Sequence, residues 1–195
     1  MAADIFITFR QWLARIRKNH ALEHATINVL SQRYPGAQLV GLSSHFGFTI
    51  YSSLTAEEIV PAARQALRSL KGGATELAVH ENCGTNLVIT AVLTTLATLV
   101  GLGGSGLRVD RSRRTLFGVL ERMPQAVLLN SIALMVAPPL ARWVQTHVTT
   151  NPNLIESDIT SFFTDYQGGL RRVRVYTRHG PGTKTPRHVV HVSEA

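Results

Sequence analysis

The stretch Asn19-His20-Ala21-Leu22-Glu23-His24-Ala25 organises the rest of the chain, because it sets two histidines four residues apart. In an α-helix, His20 and His24 lie on one face and Glu23 stands beside them. Two imidazoles so placed can hold one divalent metal ion, and a carboxylate can take a proton from water that the ion activates. The stretch therefore predicts a helix with His20 and His24 as metal ligands and Glu23 as acid/base. The alternative is a helix with two solvated histidines.

A second motif, His80-Glu81-Asn82-Cys83-Gly84-Thr85-Asn86, supplies candidates for a third ligand. Cys83 is the best of them, because a thiolate is a strong ligand for zinc or iron(II) and a helix N-terminus favours the thiolate. His80 is the competing ligand. Three protein ligands leave a coordination position open for water or substrate, whereas four, with His80 included, close the site and make it structural.

The elements around these motifs predict an α+β unit over residues 1–85. Residues 1–17 mix charged and apolar side chains and lack a signal-peptide cleavage site, so they predict an amphipathic helix that runs into the histidine motif. Tyr34-Pro35-Gly36 ends this helix. The elements predicted next are a hairpin of 38–42 and 46–53, a helix capped by Thr55 and Glu58 that ends at Gly72-Gly73, and a strand at 76–80. The order is helix, strand, strand, helix, strand.

The segment after Glu81 predicts a membrane hairpin, residues 86–141, inserted into this unit. No charged residue occurs between Glu81 and Arg108 or between Arg122 and Arg142, and both gaps are largely apolar. Such gaps are typical of transmembrane helices, here about 86–106 and 124–141. The joining segment, 107–122, carries five arginines. The alternative is a buried helical hairpin in a soluble homodimer.

The tail, residues 142–195, is predicted to lie on the same side of the membrane as residues 1–85, because a hairpin returns the chain to the side that it left. Residues 155–166 predict a short helix, and 170–177 and 188–192 predict strands that join the first sheet. His179 is predicted to be a surface histidine.

Charge and cysteine content exclude some classes of partner. Twenty Lys and Arg residues against twelve Asp and Glu residues give a net charge of +8. The basic residues are spread along the chain without a stripe of interleaved aromatics, so nucleic acid is not an expected partner, and a soluble RNA-binding protein is a minor alternative. The single cysteine excludes an internal disulfide and fits a reducing compartment.

The order His20-x-x-Glu23-His24, a hairpin, a helix and then Cys83-Gly84-Thr85 resembles the metal-binding core of S-ribosylhomocysteine lyase. The element order is also similar to that of the insulinase-type inverted zinc peptidases, which share the H-x-x-E-H motif. The resemblance implies that His20, His24 and Cys83 bind a divalent metal and that Glu23 transfers protons.

The chain departs from the lyases in one strand region and resembles a further family over most of its length. The lyases have a second, catalytic cysteine where this chain reads Ser43-Ser44-His45-Phe46-Gly47. His45 is the candidate proton carrier in its place. The strings H-x-L-E-H-A-T and N-C-G-T-N also resemble those of an uncharacterised bacterial membrane family, a domain of unknown function.

The predicted function is that of a membrane-anchored, metal-dependent hydrolase or lyase, with zinc or iron(II) as cofactor. The alternative is a non-catalytic membrane scaffold with a structural metal site. Expected partners are the lipid bilayer, a small-molecule or membrane-associated substrate and a second copy of the chain. The predicted location is the inner (cytoplasmic) membrane, with the metal-binding domain in the cytoplasm because no signal peptide precedes it. The arginines of 107–122 argue for the opposite orientation.

Overall fold

The computed structural model describes residues 2–81, 83–103, 116–167, 169–180 and 190–192, and it confirms the α+β class. The chain divides into a sheet unit, residues 1–80 and 146–195, and a helical unit, residues 81–145. The elements are α1 (Ala2–Arg33), β1 (Leu39–Ser43), β2 (Gly47–Ser52), α2 (Ala56–Lys71), α3 (Gly84–Gly103), α4 (Leu116–Val144), β3 (Ser157–Gln167), β4 (Leu170–His179) and β5 (Val190–Val192).

The sheet has the strand order β1-β2-β4-β3-β5, so segments from both ends of the chain form it. The first four strands pair antiparallel, and β5 pairs parallel to β3. The predicted hairpin is present as β1 and β2, and the predicted strand at 170–177 is β4, which pairs directly with β2. Of the strand predicted at 188–192, residues 188 and 189 lie outside the described residues.

The two helices of the sheet unit, α1 and α2, share one hydrophobic core with the sheet. Helix α1 ends at Arg33, just before the predicted Tyr34-Pro35-Gly36 stop, and the Thr55 N–H donates to Glu58 Oε2 (2.7 Å) at the start of α2. The capped start of α2 was predicted from the sequence. The core includes Ala21, Leu22, Ala25 and Leu30 of α1, Ile59, Ala62, Ala63 and Ala66 of α2, Phe48 and Ile50 of β2, and Val173 and Val175 of β4.

The helix predicted at 155–166 is wrong, because Ser157–Gln167 forms strand β3. Ile155, Ile159, Phe162 and Tyr166 recur with the spacing of one helical face. A β-bulge between Ile159 and Ser161 explains that spacing: one extra residue brings Ile159 and Phe162, three apart, into contact with the same core. The Thr, Phe and Tyr content of the segment then favours the strand.

The strand predicted at 76–80 is also wrong, because Thr75–Ala78 is a turn of 3-10 helix. Side chains of α1 donate hydrogen bonds to the backbone carbonyls of this region, as the N–H groups of a neighbouring strand would in a sheet. Asn28 Nδ2 donates to the carbonyl oxygens of Leu77 (3.0 Å) and Val79 (3.0 Å). The carbonyl oxygens that would pair with a neighbouring strand therefore accept hydrogen bonds from a helix side chain some fifty residues earlier in the chain.

In the helical unit, α3 and α4 pack antiparallel through small residues. Gly101 is buried so closely against Ala126 that a Cβ on Gly101 would lie 2.6 Å from the Ala126 Cα. Asn130 Nδ2 donates to Thr98 Oγ1 (2.9 Å) between the helices. Small residues and interhelical hydrogen bonds from side-chain amides are typical of helices packed in lipid. Of the joining segment predicted at 107–122, residues 107–115 lie outside the described residues and 116–122 form the start of α4.

Both helices of this unit are long and apolar enough to cross a membrane, by length and composition. Few of their residues are buried, in contrast to the core helix of a soluble protein. Large apolar side chains such as Leu87, Leu99, Val127 and Met135 are mostly exposed. Exposed apolar surface on this scale needs an apolar environment or a partner to cover it.

Replacing Gly101 with leucine should destabilise the helical unit by about 2 kcal/mol, because the added side chain overlaps Ala126 in a closely packed interface. Gly103→Leu is the matched control, since no atom of the described residues lies within 4 Å of a Cβ at that position. Both changes replace glycine within α3, so helix propensity cancels between them. Thermal unfolding of the full chain in mild detergent measures the difference. Equal midpoints for the two variants would contradict the close packing.

Candidate metal centre

Helix α1 places both histidines of the H-x-x-E-H motif at the inner side of the sheet unit. His24 is buried, with 1% of its surface exposed, and His20 is half-buried. Their ring centroids lie 4.3 Å apart, as the four-residue spacing predicts for neighbouring turns of a helix. The reading of the motif as two solvated histidines is therefore wrong for His24.

Each ring is fixed by a hydrogen bond from its Nδ1 to a backbone carbonyl. His24 Nδ1 donates to the Ala78 carbonyl oxygen (2.8 Å), and His20 Nδ1 donates to the Thr149 carbonyl oxygen (3.1 Å). A carbonyl oxygen only accepts, so in the neutral ring the proton is on Nδ1 and the lone pair is on Nε2. Metal-binding histidines show this arrangement, in which the outer N–H bond sets the tautomer and the ring orientation.

The Nε2 atom of His24 is buried and has no hydrogen-bond partner among the described residues. A buried polar atom without a partner costs about 1–3 kcal/mol, so most native structures avoid one. A metal ion bound to the Nε2 lone pair would remove this cost. The unpartnered nitrogen is thus a structural observation, independent of the sequence motif, that supports the fit of the donor set to a divalent metal.

Cys83 completes a group of three possible ligands. One ligand atom each from His20, His24 and Cys83 lies within 4.8 Å of the other two. Ligand atoms around one tetrahedral ion lie roughly 3.5 Å apart, so small side-chain rotations would close the group. The Thr85 N–H, in the first turn of α3, donates to the Cys83 sulfur (3.4 Å).

Glu23 is buried beside the histidines and its carboxylate points to strand β1. Its side chain accepts a hydrogen bond from the Ser43 hydroxyl, and a Cβ on Gly41 would overlap its carboxyl group. Burial raises the pKa of Glu23, while the Ser43 hydrogen bond and the nearby His20 act in the opposite direction. A raised pKa favours the protonated carboxyl group, which can donate a proton as well as accept one. The roles of Ser43 and Gly41 were missed in the sequence, because only the fold brings β1 against α1.

The two remaining predicted site residues lie outside the group of three ligands. The His80 ring lies 6.0 Å from the His24 ring, measured between centroids, so it is a neighbour of the group. The His45 ring lies against that of Phe46 at an interplanar angle of 40°, with ring centroids 3.7 Å apart, and its centroid lies 6.2 Å from that of the Trp12 ring. It lines a different cavity of the sheet unit.

A second polar cluster, centred on His179, was not found by sequence reasoning. His179 Nδ1 lies 2.7 Å from the Ser157 hydroxyl and its Nε2 lies 2.8 Å from Asn19 Oδ1, so the prediction of a simple surface histidine is wrong. Asn19 Oδ1 also accepts from the Thr177 hydroxyl (2.6 Å), and Asn19 Nδ2 donates to the Ser44 carbonyl oxygen (2.8 Å). Asn19 thus links α1 to both the β1–β2 turn and β4.

The His179 cluster should make stability depend on pH. Burial, with the charges of Lys18 and Arg15, lowers the pKa of His179 to about 4. Between about pH 6.5 and pH 4 the unfolded chain therefore binds a proton at His179 that the folded chain does not, so stability is present above pH 6.5 and falls as the pH drops. Because the ring is partly exposed, we expect a loss of about 1 kcal/mol.

Urea unfolding of the wild type and of His179→Gln, followed by tryptophan fluorescence at several pH values, measures this loss. The other histidines are the same in both proteins, so their contributions cancel in the comparison. The variant should be less stable at pH 7.5 and should show a flatter dependence between pH 4.5 and 6.5. Parallel pH curves for the two proteins would show that His179 does not titrate in this way.

Comparison with known proteins places the chain beside relatives that have no described activity. The family Domain of unknown function (DUF6391) matches residues 15–161. An uncharacterised protein of Picosynechococcus sp. is 34% identical over 154 residues, which cover 74% of this chain and 70% of the relative. No solved structure matches. The prediction of an uncharacterised family is confirmed, while the resemblance to the lyases and inverted zinc peptidases stays a prediction.

Proposed function

The chain belongs to the DUF6391 family of domains of unknown function. We propose that this member of the family is a membrane-anchored metalloprotein of hydrolase or lyase type. In this proposal His20, His24 and Cys83 hold zinc or iron(II), and Glu23 is the acid/base. The substrate is a small or membrane-associated molecule.

The observation that carries the proposal is the buried Nε2 atom of His24, which has no hydrogen-bond partner in the part of the chain that the structure describes. The hydrogen bond from His24 Nδ1 to the Ala78 carbonyl oxygen fixes the ring that carries this atom. The centroid of the His20 ring lies 4.3 Å from that of the His24 ring. A simple core histidine would have both nitrogens satisfied. The lone pair of a neutral imidazole and a thiolate form a donor set that suits zinc or iron(II).

The residues of the chain have distinct roles in this proposal. A bound divalent ion would lower the pKa of a water molecule bound to it or polarise a substrate oxygen. His20 and His24 would hold the ion through rings that are fixed by hydrogen bonds to the Thr149 and Ala78 carbonyl oxygens. Glu23 holds or releases a proton at its carboxyl group, and Ser43 sets the orientation of that group. Three protein ligands leave the coordination position that catalysis needs.

Elemental analysis of the purified full chain tests the metal part of the proposal. We expect about one zinc or iron per chain in the wild type and in His45→Gln, since His45 lies outside the group of three ligands. Cys83→Ser should lower the metal content, because a hydroxyl is a much poorer ligand than a thiolate. A metal-free wild type, or a Cys83→Ser variant with undiminished content, would overturn the ligand set.

The acid/base role of Glu23 needs a separate test. Glu23→Gln should retain the metal, because glutamine preserves the shape of a side chain that is not a proposed ligand. Turnover by the wild type in a panel of ester, amide and thioether substrates should be lost in the variant. Equal turnover in both proteins would remove Glu23 from the mechanism.

The second candidate function is a non-catalytic scaffold with a structural metal site, and the position of His80 favours it. The His80 ring centroid lies 6.0 Å from that of His24, so a change in side-chain orientation could bring His80 in as a fourth ligand. A His80→Gln variant separates the candidates. Loss of metal indicates a closed four-ligand site, and retained metal indicates an open site.

The membrane part of the proposal is supported by the apolar helices α3 and α4. We place the protein in the inner (cytoplasmic) membrane with the sheet unit in the cytoplasm, because the single cysteine of the chain, Cys83, fits a reducing compartment. The protein should resist extraction by carbonate, and protease added to sealed inverted vesicles should cleave the sheet unit. Release by carbonate, or cleavage only in right-side-out vesicles, would contradict this placement.

A further inference from the structure

The N-terminal half of α1 carries an apolar stripe that the described residues leave largely exposed. Phe9, Trp12, Leu13 and Ile16 recur with helical spacing, so they lie on one face of the helix. The exposed fractions of Phe9, Trp12 and Leu13 are 56%, 42% and 41%. The stripe therefore differs from the second half of α1, whose apolar residues from 21 to 30 belong to the core.

The turn between β1 and β2 extends this stripe. Phe46, in that turn, is 61% exposed. Neighbouring rings join it to α1, with centroid distances of 5.8 Å for Phe9–Trp12, 6.2 Å for Trp12–His45 and 3.7 Å for His45–Phe46. Phe9, Trp12, Leu13 and Phe46 therefore form one contiguous surface, the α1 patch. Contiguous exposed apolar surface marks an interaction site, whereas single exposed apolar side chains are common and need no partner.

The charged residues beside the stripe are all basic. Residues 9–18 contain Arg10, Arg15, Arg17 and Lys18 and no Asp or Glu. Arg10 and Arg15 are exposed and border the stripe on its two sides. Arg17 is already used within the sheet unit, where it donates to two backbone carbonyl oxygens. An apolar helix face bordered by basic side chains is the pattern of helices that lie in the interface of an anionic bilayer.

We propose that the α1 patch binds the surface of a lipid bilayer that contains anionic lipid. Its apolar side chains enter the headgroup region, where aromatic residues are favoured, and Arg10 and Arg15 bind headgroup phosphates. A second copy of the chain suits the patch less well, because two patches face to face would bring arginines of like charge together. The site does not depend on the proposed metal centre or on whether α3 and α4 cross the membrane.

Tryptophan fluorescence of the full chain in lipid vesicles tests the proposal. The chain has two tryptophans, so Trp143→Phe leaves Trp12 as the only one. Vesicles are made from phosphatidylcholine with brominated acyl chains, which quench a tryptophan that they contact, with or without phosphatidylglycerol. We expect stronger quenching of Trp12 with phosphatidylglycerol, and less at high salt because ions screen the arginines. In Arg10→Gln/Arg15→Gln the ratio of bound to free patch should fall by roughly a factor of 30.

The matched control is Arg64→Gln/Arg68→Gln, which removes two charges from exposed positions of α2 and should leave the quenching of Trp12 unchanged. The same measurement applies to protein added to preformed vesicles, so a failure of the membrane-spanning part of the proposed function is distinguishable from a failure here. Quenching that does not depend on phosphatidylglycerol, or that persists fully in Arg10→Gln/Arg15→Gln, would overturn the proposal. Unquenched emission that shifts with protein concentration would overturn it in favour of a second copy of the chain.

Discussion

Replacing His24 with glutamine is expected to lower the affinity for zinc or iron(II) by a factor on the order of 100 or more. Even loss of a residue that only orients a ligand typically costs 10–100-fold in affinity, and His24 is a proposed ligand itself. The variant loses a buried imidazole nitrogen that has no hydrogen-bond partner among the described residues. It should keep its fold, because the glutamine amide can still donate to the Ala78 carbonyl oxygen that His24 now uses.

Competition between the protein and a coloured chelator measures this affinity. His45→Gln is the matched control, since it makes the same change in the same unit at a ring outside the group of three ligands. The account expects wild-type affinity for His45→Gln and a large loss for His24→Gln. Equal affinities for the two variants would show that His24 does not bind the metal.

Replacing Gly41 with alanine is expected to destabilise the sheet unit by about 3 kcal/mol. The added Cβ would overlap the carboxyl group of Glu23, which is buried and held by the Ser43 hydroxyl. The cost should lie at the upper end of the range for overpacking, because the displaced group is a polar one that would lose its hydrogen bond in a buried site.

A double-mutant cycle with Glu23→Ala isolates this contact. In the Glu23→Ala background the overlap is absent, so Gly41→Ala should cost far less there. Urea unfolding of the full chain in detergent, followed by tryptophan fluorescence, gives the four free energies of unfolding. Equal costs of Gly41→Ala in both backgrounds would show that strand β1 does not confine Glu23.

Local patterns in the sequence predicted much of the fold. The helix through His20 and His24, the β1–β2 hairpin, the capped start of α2 and the apolar helices α3 and α4 all follow from spacing, turn residues or composition. These features depend on neighbours within a few residues. The pairing of β4 with β2 could be proposed from alternation, but its register comes from the fold.

The errors occur where distant residues decide the structure. The bulge in β3 gives Ile159 and Phe162 a helical spacing, and only the core that they share shows the strand. The backbone carbonyls near Ala78 do not pair with another strand, because Asn28 and His24 of α1 donate hydrogen bonds to them. For the candidate site, the motif predicted the two histidines and Glu23. The backbone carbonyls that fix the rings could not be predicted, since a carbonyl leaves no signature in the sequence.

The most direct test of the account is X-ray absorption spectroscopy of the purified full chain at the edge of the metal that it retains. The account predicts a first shell with one sulfur at about 2.3 Å and at least two imidazole nitrogens at about 2.0 Å, and loss of the sulfur in Cys83→Ser. A shell of oxygens alone, a spectrum unchanged by Cys83→Ser, or a protein that retains no metal would contradict it.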